Sequence, residues 1–232
     1  MKLSKYARIV IRRFSNQRLS KSKEKKLVKN EQLQKQLDFI SGCVLIAFPV
    51  VLLVEDLYSA ETSPLKFLAS LLAAWLFGAS LIALSRLAWK YSPRAVIVAG
   101  IFGLAGIFGS VGIMVFRFVV GTIQQTEGAI GNAAQFDSAV GKATPFIFTF
   151  GLLTPLMLMF LSAILLKNER TAKWSWALVC AGALLFPAGR IFLGQPVILL
   201  SDVLLLIGLG FSGWQMLSGK RGEHLVLETK VA

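Results

Sequence analysis

Five charged residues, Glu55, Asp56, Arg117, Arg190 and Asp202, interrupt or abut stretches that otherwise carry no charge. The uncharged runs that meet them are residues 39–54 before Glu55, 174–189 before Arg190 and 203–219 after Asp202, which is 16, 16 and 17 residues. A helix of that length reaches about 24 Å at ~1.5 Å per residue, short of a hydrocarbon layer about 30 Å thick. Four of these groups are therefore expected at or inside the edge of the hydrocarbon, and Arg117 at the same level at the end of the third apolar run.

An ion at that depth costs a few kcal/mol (~2.5–3.5 at a helix centre), so such residues face the interior of a bundle and pair with one another. Arg190 and Asp202 flank the short turn Gly194, Gln195, Pro196, which brings their side chains within reach. Glu55 and Asp56 are neighbours, about 100° apart on a helix, so only one of them can face a given partner. One of the two is expected to approach Arg117 or Arg190. Pro49 and Pro187 lie within one to two turns of these charges and each frees a backbone carbonyl. The chemistry implied is a polar pocket for a small solute or a proton. The same residues also admit a plainer arrangement, in which Arg190 and Asp202 lock helix five to helix six while Arg117 and Asp56 snorkel to water.

Other chemistries lack their residues. The single histidine, His224, lies outside every apolar run, which removes imidazole ligands for haem or zinc and the base for serine hydrolysis at the string Gly210, Phe211, Ser212, Gly213. Cys43 and Cys180 sit in separate apolar runs and form no CxxC. No apolar run holds a mid-membrane lysine for a Schiff base. Glu55, Asp56 and Asp202 are too few, and too close to arginines, for a divalent cation. Neither a cofactor nor a metal is expected, and the reading leans away from an enzyme.

The elements that must position the charges follow from composition. Hydrophobic residues make up 55% of the 232, charged residues 16%, and mean hydropathy is +0.67, which excludes a water-soluble globule. Six runs are long enough to span: 39–58, 64–87, 94–120, 142–166, 174–193 and 196–217. The expectation is an all-α, polytopic membrane protein, a six-transmembrane-helix bundle. Residues 1–37 form a basic cytoplasmic amphipathic segment, 38–218 the transmembrane domain and 219–232 a cytoplasmic tail. The long connection 121–141 is expected to contain a short surface helix.

Orientation comes from the cations. With the N-terminus inside, 21 of 25 Lys and Arg fall on the cytoplasmic side, leaving only Lys66, Arg117, Lys142 and Arg190 opposite, while the acidic residues divide six and six. A bias confined to Lys and Arg is the signature of retention during insertion, which places both termini in the cytoplasm and the charged cluster in the outer leaflet. Trp89, Tyr91, Trp174, Trp176 and Trp214 then fall at the inner interface.

In the N-terminal segment Tyr6, Ile9, Val10 and Phe14 recur at helical spacing, with Lys5, Arg8, Arg12 and Arg13 between them. Such a helix can lie in the headgroup layer, where anionic lipid contributes about 1 kcal/mol per basic residue, or its charge can serve only topology and solubility. The run lacks the aromatic interleaving of a nucleic-acid surface, and no apolar core of a secretory signal precedes the first span. Helix three carries Gly100, Gly103, Gly106, Gly109 and Gly112, a three-residue repeat that winds around the helix and permits close approach on several sides. That suggests a central helix, or one that binds partner helices in a homo- or hetero-oligomer.

The functional expectation is a non-enzymatic integral protein of a bacterial inner (plasma) membrane, with an organelle membrane as the alternative. It would carry out small-solute or proton-linked transport or sensing through Glu55, Asp56, Arg117, Arg190 and Asp202. The rival is a structural or accessory subunit that docks partner helices through helix three.

Overall fold

The computed structural model describes residues 5–57, 64–126, 133–169 and 173–218. Among them every regular element is helical: α1 (Lys5–Leu57), α2 (Pro64–Trp89), α3 (Pro93–Thr126), α4 (Ala133–Asn168), α5 (Lys173–Ala188), a π turn (Gly189–Leu193) and α6 (Gln195–Leu217). Six stretches, one on each helix, are long and apolar enough to cross a membrane. Length and composition thus make this a multi-pass, all-helical membrane protein.

The chain divides into two units, Met1–Ile40 and Ser41–Ala232. The described part of the first is helical; Lys5, Arg8, Arg12 and Arg13 lie on its backbone, with side chains outside the described residues. The second unit holds the bundle. Three of its helices carry proline in the first turn, Pro64, Pro93 and Pro196, where a proline loses no intrahelical hydrogen bond. Pro49, Pro145, Pro155 and Pro187 stand inside helices. After Pro187 the helix widens into the π turn, closed by Gly194 N–H donating to the Gly189 carbonyl at 2.9 Å. Gly194 then reverses the chain at φ +77°, a left-handed conformation open to glycine, and α6 begins at the next residue.

The core is built by Leu45 and Phe48 of α1, Leu84 of α2, Leu158 and Leu161 of α4, Trp176 and Val179 of α5, and Leu205 and Leu209 of α6. Helix α3 contributes little beyond Val96 and Ala99, and exposes Ile97, Ile101, Leu104 and Phe108. The expected central position of helix three is thereby corrected: α3 packs at the edge, against α2 and α4. Its glycines do allow close approach, but to different neighbours. A Cβ on Gly106 would lie 2.5 Å from the Thr154 backbone nitrogen, and one on Gly109 2.6 Å from that of Gly151, both on α4. Gly103 faces Leu81 of α2, whereas Gly100 has open space around it. Gly112 is half-buried. A winding stripe can serve two neighbours without being enclosed by them.

Two further expectations change. The 121–141 connection is mostly consumed by α3 and α4, since Ala133–Val140 contains good helix formers and no proline. Trp176, in the first turn of α5, does not present its ring outward but is fully buried against protein.

Candidate functional site

Arg190 sits in the π turn, one helical turn after Phe186, and its guanidinium carbon lies 3.8 Å from the centre of that ring. The face of Phe186 orients the guanidinium so that its edges are left for carboxylates. Nη2 donates to Asp56 Oδ2 from the end of α1. Nη1 points at Asp202 Oδ1 across 4.0 Å, within ion-pair range and too long for a hydrogen bond. Two helices distant in sequence, α1 and α5, are thus joined to the start of α6 through one cation.

Asp202 is the least compensated member. It has no exposed surface, and neither of its carboxylate oxygens has a hydrogen-bond donor. Arg190 Nη1 is likewise buried without an acceptor. The Asp56 and Asp202 carboxyls flank the same guanidinium, one bonded to Nη2 and the other facing Nη1. Two carboxylates offer only acceptors, so a hydrogen bond between them needs a proton on one.

Glu55 stands beside this triad. Ser70 of α2 donates to its Oε1 at 2.6 Å, while Oε2 is buried and without a donor. Gln195 completes the surroundings by donating to the Asp56 backbone carbonyl at 2.8 Å. That carbonyl lies in the last turn of α1. Glu55 and Asp56, adjacent on α1, and Asp202 of α6 thus bring three carboxyl groups to one guanidinium, which donates to Asp56.

Of the five residues singled out by the sequence, Asp56, Arg190 and Asp202 meet directly and Glu55 adjoins them. Arg117 belongs to the α3 backbone, and its side chain lies outside the described residues. Sequence reasoning missed Ser70 and Gln195, polar residues of ordinary type with no charge to mark their depth. It also missed the polar contacts at the opposite end of the unit. There Glu169 is buried and accepts from the Trp176 indole at 2.6 Å, Arg86 donates to Ser41 at 2.7 Å, and the Ser175 and Ser212 hydroxyls are 3.2 Å apart.

Among the described residues no group of three or more His, Cys, Asp or Glu is arranged to hold a metal ion. The arrangement can hold or exchange a proton, or orient a small polar solute against Arg190 and Asp202. The fold and the site thus define a multi-pass helical membrane protein with a buried carboxyl and guanidinium cluster at one end of the bundle. The chain matches no protein family, and comparison with curated proteins and with solved structures finds no significant similarity.

Proposed function

We propose that the protein is a non-enzymatic transport or sensing protein, small-solute or proton-linked, whose working site is the cluster of Glu55, Asp56, Arg190 and Asp202. Arg117 is included by its level on α3. The observation that carries this reading is Asp202, a carboxyl group without exposed surface whose oxygens have no donor. A structural ion pair is stabilising only when its remaining lone pairs are satisfied, and a group left unsatisfied in a low-dielectric interior is better explained by a ligand it must receive.

The distribution of Lys and Arg supports an orientation with both termini in the cytoplasm, which puts the cluster in the outer leaflet. A bacterial plasma membrane is the proposed location. Lys5, Arg8, Arg12 and Arg13 are assigned to anionic headgroups on the cytoplasmic side. The domain reading keeps residues 1–37 as this basic segment, 38–218 as the membrane domain and 219–232 as a cytoplasmic tail.

The test is flux across reconstituted vesicles with an internal pH dye and a panel of small solutes. Asp202→Asn is expected to abolish flux while the purified protein remains folded; unchanged flux contradicts the reading. A second reading, an accessory subunit binding partner helices, is favoured by the edge position of α3 and the open space at Gly100. Purification in mild detergent separates the two, because an accessory subunit brings a stoichiometric partner.

A further inference from the structure

We infer that Asp56, Arg190 and Asp202 form a binding site for a single proton, carried by Asp202 and shared with Asp56 while Arg190 stays charged. The inference deepens the proposed function by naming the ligand of that same site, and for its physiological role it rests on that reading.

Charge counting gives the stoichiometry. With both carboxyls ionised the triad carries one negative charge in excess, and Arg190 is already committed to Asp56. One proton taken from water onto an Asp202 oxygen makes an O–H bond and brings the triad to zero, the state that hydrocarbon tolerates best. The new O–H then donates to the Asp56 carboxylate, satisfying one of the two unpartnered oxygens of Asp202. When the proton leaves to water, Arg190 Nη1, 4.0 Å away and without an acceptor, is placed to turn toward the exposed charge. Binding and release thus correspond to Arg190 serving one carboxylate or two. The charged groups around Asp202 are Arg190 of the π turn, which also bonds Asp56, and Glu55, next to Asp56 on α1; Lys66 stands in the first turn of α2.

A metal cation fits less well. Sodium or calcium asks for five or more oxygens around it, whereas here a guanidinium lies against both the Asp56 and the Asp202 carboxyl and takes the place a second cation would need. The proton is the one cation that needs only two acceptors.

The experiment is difference infrared spectroscopy of the full chain in lipid nanodiscs, titrated with pH and repeated with 13C-carboxyl aspartate. A carbonyl-stretch band of a protonated aspartic acid, shifted by the label, is expected in the wild type near neutral pH. It is expected to vanish in both Asp202→Asn and Asp56→Asn, since either substitution leaves one carboxylate for one guanidinium. Asp38→Asn is expected to keep it. Absence of the band in the wild type across the titration overturns the inference, as does a band that persists in both triad variants. So does a band that sodium displaces at constant pH, which would make the site a sodium site. Vesicle flux is scored separately. Flux lost in Asp202→Asn without any wild-type band leaves the transport reading standing and removes the proton. A band with unchanged flux does the reverse.

Discussion

The two ends of the bundle both bury a carboxylate, and they treat it in opposite ways. At the α4–α5 end, Glu169 receives the indole N–H of Trp176, and the neighbouring hydroxyls of Ser175 and Ser212 meet each other. At the α5–α6 end, Asp202 is more deeply buried than Glu169, yet its oxygens have no donor and the nearest cation is bonded elsewhere. The same chain, with the same helices, closes one polar network and leaves the other open. Burial with unmet acceptors costs stability, whereas burial with a donor in place does not, and this difference is why the open end is the one proposed as a site.

Substitutions at the two ends should therefore differ in kind. The largest effect is expected from Arg190→Ala, which leaves the carboxyl cluster without its guanidinium: a loss of about 3–5 kcal/mol in unfolding free energy, measured by chemical unfolding in mixed micelles. Trp176→Phe keeps the ring and removes the donor to Glu169, and should cost about 1–3 kcal/mol with no change in vesicle flux. A loss of flux in that variant would show that the closed end also takes part. Gln195→Ala uncaps the Asp56 carbonyl, which lies near water, so a loss below about 1 kcal/mol is expected in the same assay.

The six spans were legible because hydrocarbon demands long uncharged runs, and the same arithmetic singled out Glu55, Arg190 and Asp202, which the structure brings to one end of the bundle. The nearness of Arg190 to Asp202 was also readable, since only a short turn separates their helices. What escaped was any feature set by which helix neighbours which. Apolar residues facing lipid and apolar residues facing the core have the same chemistry, so hydropathy could not place α3 at the edge or Trp176 inside. The choice of Asp56 over Glu55 for Arg190 depends on the rotation of α1, and the π turn that aims Arg190 depends on how Pro187 and Gly189 settle against α6; a Cβ on Gly189 would lie 2.9 Å from the Ile198 nitrogen. Ser70 and Gln195 became visible only once α2 and α6 stood beside α1.

The central claim is that Asp202 is retained at a cost to stability and not for it. The most direct test is the unfolding free energy of Asp202→Asn in lipid-containing micelles at neutral pH. The expected value is equal to or above that of the wild type, because Asp56 and Arg190 remain a matched pair and the amide N–H can donate to Asp56 without a proton having to be taken up. A loss of about 3 kcal/mol or more would contradict the account and make Asp202 a structural lock between α5 and α6.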